Sequence, residues 1–493
     1  MNQKFEQLKP YLENWAALQA ALQLFGWDME TLAPEGAGKR TSLVFGVLSD
    51  RLREETLKPE TKAIVRELLK DETLSDAERS IAKKIQKDID DLELIPADEY
   101  RAFTELQSTA TTIWAKAREE KNFDLFAPIL EEILRYTRKF AGYKAKEGQA
   151  LYDVLLEDFE KGFPMAVLDP FFDQLKETIL PLLQKAKERA DQIPDDFLFG
   201  HFDIDAQKEF NDYILDYLGF DRSRGVVAES AHPFTTNLHK DDVRITTHYY
   251  EELLTSAIFS SIHECGHALY EFDIADELSQ TPAGGGASCG MHESQSRFFE
   301  NMVGRSLSFW KPVYPKLQSL FPEQLKDVSC EKFVAAINKA VPSLVRTESD
   351  ELTYCLHIMI RYELEKQLMD GSLAITDLPA AWDDLYEKYL GVRPANVAEG
   401  VLQDIHWSQG SIGYFPSYAL GNAYGAQIAH RMAEDMDIDA LLEQGNVSVI
   451  TDWLHEHIHR FGAVYDARDL LMKVTGEDFN PKYYFEYLQR KFG

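Results

Sequence analysis

Apolar residues recur every three to four positions through most of the first 190 residues. FEQLKPYLENWAALQAALQLF, DAERSIAKKIQKDIDDLELI and FAPILEEILRYTRKFAGYKA each lay an apolar stripe along one face of a helix, and strand-like alternation is nearly absent there. Pro, Gly and Asp break the pattern at DQIPDDFLFGHFD, which reads as a hinge or a loop between helices. The first strand signal is DVRITTHYY, residues 242–250, rich in β-branched and aromatic side chains. It runs into an apolar helix containing FSSIHECGHALYE, residues 259–271. After the glycine-rich TPAGGGASCG another helix begins near His292, and helices dominate to the end. No fixed-period repeat is present. The predicted class is mostly α, with a small β-sheet beside the 259–271 helix.

Composition narrows the functional classes. A chain of 493 residues exceeds the usual single-domain size, so several domains or one large two-lobed helical body is expected. A hydrophobic fraction of 45% with 12% aromatics supports a substantial core and argues against disorder. The formal charge of −31 argues against nucleic acid or an anionic membrane as partner, because both require clustered Lys and Arg. No apolar run approaches the roughly 20 residues that span a bilayer. MNQKFEQLKPYLENW lacks the apolar core of a signal peptide, so the expected location is cytoplasmic. Cys265, Cys289, Cys330 and Cys355 lack Cys-x-x-Cys spacing and read as reduced core thiols.

The candidate chemistry is His-Glu-x-x-His, and it occurs twice. His263, Glu264 and His267 form one copy; His455, Glu456 and His459, in WLHEHIHRFG, form the other. On a helix, residues at i and i+4 share a face, so two imidazoles can meet one metal ion while the intervening Glu reaches a water held there. Context separates the copies. The first follows the small, apolar SAIFSSI and carries Gly266 in mid-helix, at a cost of about 1 kcal/mol relative to Ala that makes sense where something packs closely. A catalytic zinc also needs a third protein ligand. Glu293 in GMHESQSRFFENMVG supplies one, with Asp273 and Glu300 as weaker rivals. The second copy lies on a charged helix, VITDWLHEHIHRFGAVYDARDLL, and reads as a surface or packing cluster. Cys265, between the ligands, reads as a helix-packing residue.

With these residues in place the chain resembles the carboxypeptidase Taq family of metallopeptidases, whose fold is related to that of helical peptidases such as neurolysin. The motifs HPF at 232–234, DVRIT at 242–246, HECGH at 263–267, HES at 292–294 and GVLQDIHW at 400–407 occur in order, together with FGWDMETLAPEGA and IGYFPSYALGNAYGAQ. The resemblance implies a zinc-dependent carboxypeptidase of broad specificity acting on peptides with a free C-terminus, commonly a homodimer, with Co²⁺ or Mn²⁺ as possible substitutes for zinc. It further implies one two-lobed helical domain with a deep groove. Residues 1–200 would form a helical wall or cover, 201–430 the metal and substrate site, and 431–493 the C-terminal helices.

Roles follow from that resemblance and from donor chemistry. Glu264 would take a proton from the attacking water and pass it to the leaving amine. The oxyanion needs a donor besides the metal; His406 in QDIHW and Tyr418 or Tyr414 in GYFPSY are suitable, with Tyr418 preferred. A terminal carboxylate calls for a planar, paired donor. Arg346 in SLVRTESDELTY is the candidate and Arg244 the second, its alternative being an ion pair with Asp242. His232 before Pro233 either binds substrate backbone or caps a turn. Carboxylates should orient the zinc histidines through their other ring nitrogens; Asp350, Glu351 and Asp404 are open candidates. Arg297 stands four residues after Glu293, where thermolysin-like enzymes carry an acid. An oligopeptidase that cuts internally, and a helical binding protein that retains no metal, are the competing readings.

Overall fold

The computed structural model describes residues 2–493. Eight long helices fill the first 190 residues: Lys9–Thr31, Gly38–Thr56, Pro59–Leu69, Asp76–Leu94, Ala97–Glu119, Ala127–Lys144, Leu151–Phe159 and Met165–Ala190. Their ends follow local chemistry. The Asp76–Leu94 helix is preceded by a reciprocal cap, in which Ser75 N–H donates to Glu78 Oε2 and Glu78 N–H donates to Ser75 Oγ. The same helix then buries Ile81, Ala82, Ile85 and Ile89 on one face, as its three-four spacing predicts.

By internal contacts the chain divides into two units. The first comprises the chain up to Leu92, Pro194–Ile337 and Tyr424–Phe479; the second comprises Glu93–Ile193, Asn338–Ala423 and Asn480–Gly493. One boundary falls inside DQIPDD, where Pro and Asp interrupt the helical pattern.

In the first unit, β1 (Gly225–Glu229), β2 (Thr235–His239) and β3 (Asp242–Thr247) form a sheet of order β1-β3-β2. β1 runs parallel to β3, with Gly225 opposite Val243 and Glu229 opposite Thr247. β2 runs antiparallel to β3, with Thr235 opposite Ile245 and a bulge between Asn237 and His239. The predicted strand 242–250 ends three residues early because Thr247 is the last residue with a partner on β1. Sequence reading missed β1 and β2. They are five residues each, and TTNLH carries Asn and His where a strand signal wants β-branched or aromatic residues. The Leu254–Phe272 helix follows, carrying the first His-Glu-x-x-His. The N-terminal helices bury Leu8, Leu68 and Ile85 in one cluster with Ile274, Leu278 and Ala283, which pins the segment leaving that helix. Among the described residues no helix is long and apolar enough to cross a membrane.

Candidate metal centre

The Leu254–Phe272 helix is held on several sides. Ile258, Ile262, Cys265 and Ala268 are buried, and Cys265 is the packing residue its position suggested, with burial pushing its thiol far up. Gly266 explains its place in mid-helix. A Cβ built there would lie 2.7 Å from the Gln295 carbonyl oxygen and 2.7 Å from Ser296 Cα. The absence of a side chain thus lets the Cys289–Arg297 helix touch backbone to backbone. That second helix starts at Ser288, whose hydroxyl accepts from Met291 N–H at 3.0 Å. The contact brings Glu293 across to the two histidines.

His263 Nε2 lies 3.6 Å and His267 Nε2 3.5 Å from Glu293 Oε2. Two ligands at the usual zinc bond lengths and a tetrahedral angle are separated by about 3.3 Å, so the donor set fits a metal ion. Among the described residues this is the one group of three or more His, Cys, Asp or Glu whose ligand atoms all lie within 4.8 Å of one another. The other ring nitrogens face supporting groups. His263 Nδ1 is 2.9 Å from Glu300 Oε2, and His267 Nδ1 is 2.5 Å from His292 Nδ1. Arg297 donates from Nε to Glu293 Oε1 at 2.7 Å and from Nη1 to Glu300 Oε2 at 3.0 Å. Glu300, weighed as a rival ligand, instead lies on a π-helical stretch, Phe298–Val303, and supports His263. Arg297 does not replace the missing acid; it ties the free oxygen of Glu293 and leaves Oε2 for the histidines.

Burial and charge compete at every member of the cluster. Burial opposes ionisation of Glu293, but Arg297 and the two histidines outweigh it and hold its carboxyl far below the usual range. Glu300 behaves alike and sits at about 2. Burial pushes His267 down to about 3, toward the neutral form that binds metal. Glu264 is buried beside them, and that burial raises its pKa against the opposing pull of His263. Thr235 Oγ1, on β2, donates to Glu264 Oε2 at 2.5 Å.

Other sequence candidates in this unit fall outside that cluster of ligand atoms. Arg244 pairs with Asp242 through two bonds of 2.8 and 2.9 Å and lies over the Trp27 ring, the ion-pair alternative considered for it. His232 is exposed, and its carbonyl accepts from Ser230 Oγ at 2.6 Å. Asp273 pairs with His459 at 3.3 Å. The second His-Glu-x-x-His does not share one helical face, because the Val447–His457 helix ends before His459. His459 is buried between Asp273 and Gln295, whereas the His455 side chain is 47% exposed.

The second unit holds Arg346, His406 and Tyr418. Arg346, 7% exposed, donates from Nε and Nη2 to Asp404 Oδ1 at 3.1 and 2.9 Å and from Nη1 to the Tyr354 hydroxyl at 3.1 Å. Asp404 also accepts from Arg361 Nε at 2.6 Å. Burial works against the Asp404 charge, but the two guanidinium groups hold its carboxyl far below the usual range. His406 packs on Phe415, with Nε2 3.4 Å from the Tyr418 hydroxyl, and burial lowers its pKa to about 4. The three acids considered as histidine supports are engaged elsewhere. Asp350 caps the Glu351–Asp370 helix, Glu351 pairs with Lys491, and Asp404 holds the arginines.

Two imidazole nitrogens, a carboxylate oxygen and a buried Glu beside the first histidine, carried on helices next to a small sheet, define a metallohydrolase of the His-Glu-x-x-His kind. The chain belongs to the carboxypeptidase Taq (M32) metallopeptidase family, whose profile matches residues 7–492. Carboxypeptidase 1 of Bacillus subtilis is 40% identical over 474 residues, covering 96% of this chain and 94% of the relative. Thermostable carboxypeptidase 1 of Pyrococcus furiosus is 35% identical over 489 residues, covering 98% and 97%. The crystal structure of the M32 carboxypeptidase from Deinococcus radiodurans R1 superposes with a TM-score of 0.96 at 32% identity, covering 100% of this chain and 99% of that one. By family, then, the protein is a metallocarboxypeptidase, a peptide hydrolase.

Proposed function

We propose that the protein is a zinc-dependent carboxypeptidase that removes residues one at a time, with broad specificity, from peptides bearing a free C-terminus. The observation that carries this is the donor set of His263, His267 and Glu293, at zinc-like separations beside a buried Glu264. Zinc held there supplies Lewis acidity and lowers the pKa of a water molecule; Co²⁺ or Mn²⁺ can serve in the same set. Glu264 accepts the proton of the attacking water and delivers it to the leaving amine. Thr235 fixes one Glu264 oxygen and leaves the other for that transfer.

In the second unit, Arg346 is the proposed holder of the terminal carboxylate. Its three bonds use three of five N–H groups. It and Arg361 share the one carboxylate of Asp404, so a positive charge remains for an anionic substrate group. His406 and Tyr418 are the proposed donors to the developing oxyanion. Burial keeps His406 neutral near pH 7, and its buried Nδ1 lacks a hydrogen-bond partner among the described residues. Arg244 and His232 remain secondary substrate candidates. The reading also takes the chain as one peptidase domain, with its metal and substrate site in residues 201–430, acting in the cytoplasm as a homodimer.

The test is a time course of residue release from a free peptide and from its C-terminally amidated form, with zinc content measured in parallel. The expected result is about one zinc per chain, release from the free peptide alone, and loss of turnover with retained zinc in Glu264→Gln. Equal cleavage of the amidated peptide would refute the carboxypeptidase assignment in favour of internal cleavage.

A further inference from the structure

His267 is supported differently from His263. His263 faces the carboxylate of Glu300 directly. His267 Nδ1 instead meets His292 Nδ1 at 2.5 Å, and His292 Nε2 lies 2.6 Å from Glu271 Oε1. The second oxygen of Glu271 accepts from the amide of Asn237 on β2. With both imidazoles neutral, as metal binding requires of His267, proton placement in this chain has one solution. A carboxylate only accepts, so the His292 proton sits on Nε2 and its Nδ1 is a bare acceptor. His267 must then donate from Nδ1, which leaves the lone pair of its Nε2 beside Glu293. The reverse tautomer of either ring sets two lone pairs or two N–H groups against each other.

The surroundings hold His292 in this pose. A Cβ on Gly286 would lie 2.6 Å from His292 Cδ2, so the glycine-rich loop lies directly against the ring. Tyr270 closes another side, with ring centroids 5.2 Å apart. Spacing places the end of the relay on the metal helix itself, since Glu271 follows His267 by four residues and shares its face. Glu271 and Glu264 are seven apart on that helix, while Asn237 and Thr235 are two apart on β2. One face of the strand therefore holds both acids, matching a period of two against two helical turns.

We propose that Glu271 and His292 form a positioning relay, anchored to β2 through Asn237, that locks His267 in the tautomer presenting Nε2 to the metal. The proposal rests on the reading of His263, His267 and Glu293 as metal donors. Its test uses the full chain and reads zinc affinity by chelator competition, the visible spectrum of the cobalt-substituted protein, and the urea midpoint of the metal-free form. His292→Leu breaks both bonds and is expected to weaken zinc binding by about 10–100-fold and to alter the cobalt spectrum. His292→Gln accepts through its amide oxygen and donates from its nitrogen, so it should restore most of the affinity. Glu271→Leu serves as a second disruptive variant should His292→Leu not fold. Equal zinc affinity in wild type and both disruptive variants overturns the relay, as does equal loss in His292→Leu and His292→Gln. A lowered metal-free midpoint with unchanged affinity also overturns it by showing a structural role alone. A wild-type chain that binds no zinc overturns the donor reading, and the relay with it.

Discussion

Gly266→Ala sets helix propensity against packing, and the two predict opposite signs. Propensity alone favours Ala in a helix interior by about 1 kcal/mol. The new Cβ would stand 2.7 Å from the Gln295 carbonyl oxygen and Ser296 Cα, both backbone atoms that cannot rotate aside. Restoring ordinary contact near 3.4 Å needs a separation of about 0.7 Å between the two helices. Overpacking of this kind costs about 1–3 kcal/mol, so the metal-free protein should be destabilised by roughly 0–2 kcal/mol. The sharper effect is on the metal. Glu293 lies two residues before Gln295, and moving that helix widens the 3.5 and 3.6 Å separations of its Oε2 from the histidines. Zinc bonds tolerate about 0.2 Å, so affinity should fall at least about tenfold. Gly142 provides a control. It is exposed, lies in the Ala127–Lys144 helix, and a Cβ there meets nothing within 4 Å, so Gly142→Ala should stabilise by about 1 kcal/mol. Urea unfolding of metal-free protein and chelator competition measure both quantities. A Gly266→Ala variant that gains stability like Gly142→Ala and binds zinc normally would refute the close helix contact.

Three further expectations follow from other contacts. Thr235→Val removes the hydroxyl donor to Glu264 and should lower kcat about tenfold with KM and zinc content unchanged, whereas Thr235→Ser keeps the wild-type rate; a fully active Val variant would show that the bond does not orient the base. Asp404→Asn leaves Arg346 and Arg361 buried without their shared carboxylate and should cost about 3–5 kcal/mol in urea unfolding, so a change below about 1 kcal/mol would contradict the charge pairing described. Glu365 is fully buried, and burial pushes its pKa up to about 7 despite bonds from Trp407, Tyr152 and Gly413. A raised folded-state pKa gives stability that is full below the unfolded value near 4.5 and is lost as pH rises through 7. Wild type should therefore lose about 2 kcal/mol relative to Glu365→Gln between pH 5 and pH 7.5, and parallel pH profiles would exclude this carboxyl as their source.

The proposed metal donors were legible because each lies on a helix whose periodicity the sequence displays. The i, i+4 spacing of His263 and His267 and the cost of Gly266 in mid-helix both follow from neighbours along the chain. The supports were not legible for the opposite reason. Glu271 sits at an informative spacing from His267, but its link runs through His292 on another helix, and only the approach permitted by Gly266 and Gly286 brings them together. Arg346 and Asp404 are 58 residues apart, and no local pattern pairs them. Glu300 follows Glu293 by seven residues, which suggested a rival ligand; the π-helical stretch and the Arg297 fork make it the partner of His263 instead.

The second His-Glu-x-x-His shows what the motif lacks by itself. His459 is as buried as a ligand would be, yet both of its ring nitrogens are committed to Asp273 and Gln295, so no lone pair is left for a metal. At His267 one nitrogen is committed, to His292, and the other is left beside a carboxylate. What separates the proposed metal-donor histidine from the packing one in this chain is therefore how many of its nitrogens the fold already uses, a quantity set by tertiary partners and invisible to spacing. A variant that frees His459, such as Gln295→Leu, should leave zinc stoichiometry at one per chain, because His455 stays on the exposed side and His455, His459 and Asp273 do not bring their ligand atoms within 4.8 Å of one another. A second equivalent of tightly bound zinc in that variant would show that committed nitrogens, and not the spacing of the donors, are what keeps the C-terminal copy from binding metal.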